Sequence, residues 1–299
     1  TIDSVEENTI QNLSSFLEAG KKILITQSGV NTDIQLQQAF PIESNIFDFL
    51  SEYDLNLQKN LVLDSKCGNV QVQQSVGLFR MNRAVQYPFF PVVDTFNTKD
   101  SLTGIIVDKL EQILPLFPSE IKIDSVRNEK VLKVSTLFTS SNNSGLMSSN
   151  FMLSPDPQQN PFLKLLGQSG KVLSALSSLK SGGKLMLISD SKFLSDEGGM
   201  SIPDNMVFLM NAVDYLSDDE DLISLRSREI TSRPLDILQL SDEEELSMSQ
   251  DEKDKNTDRI KKRWKLANLV LPSLLIIGFG FLRIRKEKNQ AEVLKQIYD

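Results

Sequence analysis

Residues 181–190 read SGGKLMLISD: a small-residue turn, a short apolar run, and an aspartate where the run ends. A run this short, bounded by glycines and lacking polar alternation, is expected to be a strand covered on both faces. After a loop holding Gly198, Gly199 and Pro203, residues 205–216 (NMVFLMNAVDYL) read as an apolar helix. Strand, loop and helix in that order form the unit of a layered α/β domain. The same reading works upstream. Residues 22–26 (KILIT) are a buried strand between Gly20 and a Gln-Ser-Gly loop, 46–53 (IFDFLSEY) a short helix, and 60–64 (NLVLD) a second buried strand. The segment 102–114 reads as strand or helix, with helix favoured towards its end and stopped by Pro115 and Pro118. Segments 119–123 and 131–139 are β-like, and 140–160, rich in Ser, Asn and Pro, is a long loop. Residues 1–18 form an amphipathic helix with Val5, Ile10, Leu13, Phe16 and Leu17 along one side. Together these predict a three-layer α/β domain with a mostly parallel sheet and right-handed crossovers.

Composition narrows the function. The 299 residues carry a net charge of −8, which argues against a nucleic-acid partner, since such a partner needs clustered Lys and Arg. Cys67 is the one cysteine, so neither an internal disulfide nor a thiolate metal cluster can form. There is no histidine. That removes the usual general base and the commonest zinc ligand together. The chain opens on Thr1 within a packed-looking helix, which is expected of the C-terminal portion of something longer.

Beyond residue 216 the composition shifts. The runs DDED (218–221), DEEE (242–245) and DEKDK (251–255) read as solvated linker; no calcium-loop spacing of Asp and Gly occurs among them. Then LANLVLPSLLIIGFGFL (266–282) runs for about 17 residues without a charge, at the short end of what spans a bilayer of roughly 30 Å. Arg259, Lys261, Lys262, Arg263 and Lys265 precede it, and Arg283, Arg285, Lys286 and Lys288 follow. Such flanks snorkel to headgroups, with Trp264 as an interfacial aromatic, and a buried core helix would not carry them. Asn268, Pro272, Gly278 and Gly280 are the positions expected to pack against a neighbouring membrane helix, because polar and small residues permit close approach in lipid. The expected organisation is a soluble domain over 1–236, an acidic linker over 237–258, a transmembrane helix with basic flanks over 259–288, and a tail over 289–299. The domain is expected outside the membrane and the tail inside.

No catalytic constellation emerges. GxxxxGK[ST] is absent, so the chain is not itself a P-loop ATPase. Asp190 and Lys192 lie just past a strand's carboxyl end, where open α/β sheets place ligands. Asp190 reads either as a ligand or nucleophile position or as the cap of its own turn. Ser28 lacks the GxSxG frame of a hydrolase, and Cys67 has no base of the right type to activate it. Arg226, Arg228 and Arg233 stand among acids; they dock an anionic partner through guanidinium forks or neutralise DDED and Glu229 locally. No metal or cofactor is expected.

Taken in order, SGGKLMLISDSKFL, NMVFLMNAVDYLSDDEDLISLRSREITSRPL and RWKLANLVLPSLLIIGFGFLRIRK resemble the C-terminal half of the gliding-motility ABC-transporter auxiliary subunits (GldG-like) of Bacteroidetes. The AGKKILIT strand, NLVLD and Tyr87-Pro88-Phe89 also fit, while Lys21 departs from the family's early Gly-Gly. The resemblance implies a non-catalytic auxiliary domain facing the periplasm at the inner membrane, similar to the α/β domain of an intraflagellar-transport scaffold. It also implies a further membrane helix upstream, and a separate ATPase and polytopic permease as partners. Two readings from other classes stand beside it: a membrane-tethered hydrolase or carbohydrate-binding protein using the Asp190 loop, and a structural envelope tether.

Overall fold

The computed structural model describes residues 4–76, 79–96, 104–107, 110–124, 127–156, 160, 162–195, 198–199, 202–219 and 223, and beyond these 259, 262–266, 270, 279–280, 283 and 285. In chain order the elements are α1 (Glu7–Glu18), β1 (Lys22–Thr26), β2 (Val30–Asp33), β3 (Gln38–Pro41), α2 (Ile46–Glu52), β4 (Asn56–Leu57), β5 (Leu61–Asp64), β6 (Cys67–Val76) and β7 (Phe79–Pro91). They continue with α3 (Gly104–Val107), β8 (Ile121–Lys122), β9 (Val131–Thr139), β10 (Ser144–Met147), β11 (Val172–Leu179), β12 (Lys184–Ile188) and α4 (Pro203–Leu216). The chain divides into two compact units, Thr1–Val72 with Val85–Thr231, and Gln73–Ala84 with Ser232–Asp299.

In the first unit the largest sheet among the described residues has the order β1-β12-β11-β9. Strand β12 is central, and its side chains alternate between two cores. Leu185 and Leu187 join Leu17 of α1 and Ile46, Phe47, Phe49 and Leu50 of α2 on one face. Met186 and Ile188 join Ile106 and Val107 of α3 and Phe208, Ala212 and Tyr215 of α4 on the other. Helices therefore cover both faces and the architecture has three layers. This is why an uninterrupted apolar run was readable as a strand: neither face meets water. Emptying one such position, as in Leu187→Ala, costs about 3 kcal/mol.

The sheet is not mostly parallel. Strands β1 and β12 pair in parallel, but β11 is antiparallel to both β12 and β9. The Ser-Gly-Gly before β12 turns out to be a tight hairpin turn from β11. Gly182 takes a φ of +89° there, and Leu179 N donates to Gly183 O at 2.8 Å. Strand β11 (VLSALSSL) escaped the hydrophobic pattern because serines interrupt it at 174, 177 and 178. Two of them are fully buried, and the Ser174 hydroxyl donates to Leu187 O at 3.0 Å, which removes the cost of placing it inside.

Other expectations also shift. The long loop 140–160 contains β10, which pairs antiparallel with β5, so NLVLD belongs to a separate two-stranded sheet. Segment 102–114 supplies only the short α3 as regular structure among its described residues. Val5, just before α1, and Ile10 and Leu13 along it are half-buried against the core, but Phe16 is 48% exposed. The face of α4 is set by Asn205, Phe208, Asn211, Ala212 and Tyr215. Its two asparagines work as clamps: Asn205 both accepts from Leu114 N and donates to Leu114 O, and Asn211 donates to Ile106 O. A third core gathers Tyr87 and Phe89 of β7 with Phe117, Leu61 and Leu63, where the Tyr87 hydroxyl donates to Leu153 O at 2.6 Å.

Among the described residues no helix is long and apolar enough to cross a membrane. The acidic linker 237–258 and most of the expected span, including Asn268, Pro272 and Gly278, lie outside the described residues. Within that span the described positions are helical.

Candidate functional site

Because β1 and β12 run in parallel with Thr26 opposite Ile188, the residues that follow them emerge side by side. Gln27 N extends the ladder to Ile188 O. Beyond it the Ser28 hydroxyl accepts Ser191 N–H at 2.9 Å and donates to Ser191 Oγ at 3.2 Å. A third segment closes the junction: Ser119 N donates to Ser189 O, and Gly29 N donates to Ser119 Oγ. Only glycine fits at 29, since a Cβ there would collide with the carbonyl of Gln58.

Asp190 sits at the centre, fully buried. Its Oδ1 accepts Lys192 N at 2.7 Å, forming the turn that ends β12, and its Oδ2 accepts Leu116 N at 2.8 Å. Burial is the main influence and pushes this carboxyl up to about 7, against a smaller opposing pull from those two amides and from the Lys192 charge. Lys192 itself reaches Thr32 Oγ1 at 3.2 Å and lies 5.5 Å from the centre of the Phe117 ring. The structure thus brings Asp190, Lys192 and Ser28 together. Asp190 spends both oxygens on backbone amides, one of them in its own turn, and Ser28 is bonded to Ser191 rather than to a base. As arranged, the junction holds three chain segments and buries one group that titrates near neutrality. A serine-nucleophile arrangement would need a Ser–base hydrogen bond, and this geometry does not supply one.

The other expected site residues do not converge here. Arg226, Arg228 and Arg233 lie outside the described residues. Gly280 is a half-buried helical position with open space where a Cβ would project. The Cys67 thiol is pushed up to about 11, mainly by burial, and so stays protonated at neutral pH. Among the described residues no three His, Cys, Asp or Glu side chains gather as a metal site. Of the partners of Asp190, Lys192 N is the turn cap that the sequence offered, whereas Leu116 could not be read locally. Leu116 is 74 positions away, and the only sequence signal was that two buried strands each end in a polar segment.

The family described as an ABC-type uncharacterized transport system matches residues 2–212, most of the first unit. An uncharacterized protein of Borreliella burgdorferi (strain B31) is 22% identical over 95% of this chain and 54% of its own length; the chain spans about half of that relative. A solved structure of the mmIFT52 N-terminal domain aligns with 72% of each chain at 12% identity and a TM-score of 0.43, too distant a likeness to carry weight. The family match extends unbroken from α1 into α4, through both strands that build the Asp190 junction, and the chain belongs to this auxiliary family of ABC-type transport systems.

Proposed function

We propose that this chain is a non-catalytic, membrane-anchored auxiliary subunit of an ABC transport complex, in which the α/β domain docks or presents substrate beside a permease and an ATPase. The family match over residues 2–212 is the observation that carries the reading. Two further facts support it. The sequence holds no P-loop, so a separate ATPase must supply the energy in such a complex. The described helical positions of 266–282 leave Leu266, Val270 and Phe279 exposed, Phe279 by 70%, as a lipid-facing helix does. The anchor is the helix of 259–288 in the bacterial inner membrane, joined by the linker 237–258 to a periplasmic domain, with the tail 289–299 in the cytoplasm. By its resemblance to GldG-like subunits, the role is in gliding motility.

The test is affinity purification of the full-length protein from membranes in mild detergent, with co-eluting proteins identified by mass spectrometry. Recovery of a polytopic permease and a P-loop ATPase in fixed proportion is the expected result. Recovery of the protein alone, or with envelope polymers, would leave a structural tether and end the transporter reading. Replacing Gly278 and Gly280 by Leu is expected to loosen the complex.

A further inference from the structure

Apart from the Asp190 junction, the first unit carries an open cleft of about 480 Å³ beside the paired strands β4 and β8. Its polar walls come from Gln58, Lys59, Asn60, Glu120, Lys122 and Ser148, and its apolar ones from Leu57 and Leu146. Two of the polar residues are largely buried, Asn60 and Glu120, the Glu120 side chain keeping 11% of its surface exposed. They are locked to each other in both directions: Glu120 N donates to Asn60 Oδ1 at 3.0 Å, and Asn60 Nδ2 donates to Glu120 Oε2 at 3.3 Å. Gln58 N also donates to Glu120 O at 2.8 Å. The Glu120 main chain is therefore fixed through both its N–H and its C=O, and the Asn60 amide positions the carboxylate.

This carboxylate is not saturated. Lys171 Nζ stands 4.0 Å from Oε1, close enough to balance charge but beyond hydrogen-bonding distance. Among the described residues no hydrogen bond to Oε1 is made. An ionised carboxylate has about four acceptor sites, and the Asn60 amide keeps a second N–H. An acceptor and a donor thus stand side by side, pre-positioned at the cleft wall and with capacity left for a ligand.

The charges around the cleft select the ligand. An anion would meet the Glu120 carboxylate at the wall. An ammonium group would meet Lys59, Lys122 and the nearby Lys171. The Lys59 charge is already engaged by Glu43. A hydroxyl is both donor and acceptor and carries no charge, so vicinal hydroxyls match the Glu120–Asn60 pair, with Leu57 and Leu146 left for a C–H face. The volume is in the range of small-molecule sites. We propose that this cleft binds a neutral polyhydroxylated ligand, a saccharide unit of one or two rings. The proposal goes beyond the transport reading and does not depend on it, because the cleft is complete within this chain.

The test is titration of the full-length protein in detergent with glucose, galactose, mannose, N-acetylglucosamine and maltose, followed by calorimetry and saturation-transfer NMR. Inorganic phosphate and methylammonium serve as charged counter-probes. Saturable binding of at least one sugar is expected, weakened about tenfold to a hundredfold in Glu120→Gln. Because Glu120 is largely buried and its replacement can disturb folding, Ser148→Trp provides a second variant. Ser148 is exposed at the cleft wall, and an indole there fills the space without touching the core; binding should fall at least as far. The proposal is overturned if none of the five sugars binds at millimolar concentration, if binding survives both variants in folded protein, or if a charged probe binds and the sugars do not. Loss of the permease and ATPase from the purification above would leave this result unaffected.

Discussion

Two apolar strands of this domain end in the same way and are used differently. Strand β5 (LVLD) ends on Asp64 and β12 (KLMLI, then Ser189) is followed by Asp190; both carboxylates are fully buried. Each accepts the amide two residues on, Lys66 N for Asp64 and Lys192 N for Asp190, so each caps its own turn. Each also fastens a distant segment. Asp64 takes both the amide and the hydroxyl of Ser141, while Asp190 takes only Leu116 N. One of the hydrogen bonds to Asp64 thus comes from a hydroxyl, whereas the groups that hold Asp190 are the backbone amides of Leu116, Lys192 and Phe193. At Asp190 burial outweighs those amides and the Lys192 charge, and the pKa rises to about 7. A buried carboxylate holds its proton to higher pH when the loss of water outweighs the hydrogen bonds and charges that replace it.

Removing each carboxylate in turn tests the difference between the two strand ends. Asp64→Ala strands the Lys66 amide and the Ser141 amide and is expected to cost about 4 kcal/mol in urea unfolding. Asp190→Ala at pH 8, where an already desolvated charge is removed, should cost less; the reverse order would mean that the Ser141 hydroxyl does not make Asp64 the stronger clamp. Next in size is a pH effect specific to Asp190. Its folded value of about 7 lies above the ordinary 3.8, so between those values the folded state holds a proton that the unfolded state has released. The stabilisation is complete below about pH 4, declines through that interval, and is gone above about pH 7, a change of a few kcal/mol at most. Most carboxylates give the opposite slope. Asp190→Asn should flatten it in a stability-versus-pH series, at a constant cost of about 2 kcal/mol for one mismatched amide contact. A slope that survives Asp190→Asn would assign the effect elsewhere. Lys192→Met is a finer probe: without the nearby cation the Asp190 midpoint should move up, with a loss of about 1 kcal/mol from the Thr32 and Phe117 contacts. The smallest effect is at Ser189, whose hydroxyl is buried with no hydrogen-bond partner among the described residues. Ser189→Ala should leave stability unchanged or raise it by about 1 kcal/mol in thermal unfolding.

The elements read from the sequence were those with an unbroken local pattern. Strands β1, β5, β9 and β12 and helices α2 and α4 lie where their apolar runs placed them, within a residue or two at the ends. Strand β11 was missed because its buried serines imitate a loop, and β10 because Ser144-Gly145 sits in a Ser- and Asn-rich stretch. Asp190 was visible as a strand-terminal acid, but nothing local distinguished it from Asp64. The Glu120–Asn60 pair left no sequence signal; its members are 60 positions apart, and each alone is an ordinary polar residue beside a strand.

What the sequence alone determined is where strands and helices lie and that β12 is covered on both faces, because local hydrophobic period reports burial directly. Strand direction, the filling of each buried carboxylate and the shape of the cleft were decided only in the tertiary structure. They depend on which distant amides, hydroxyls and charges the chain brings within hydrogen-bonding distance, and separation along the chain carries no record of that.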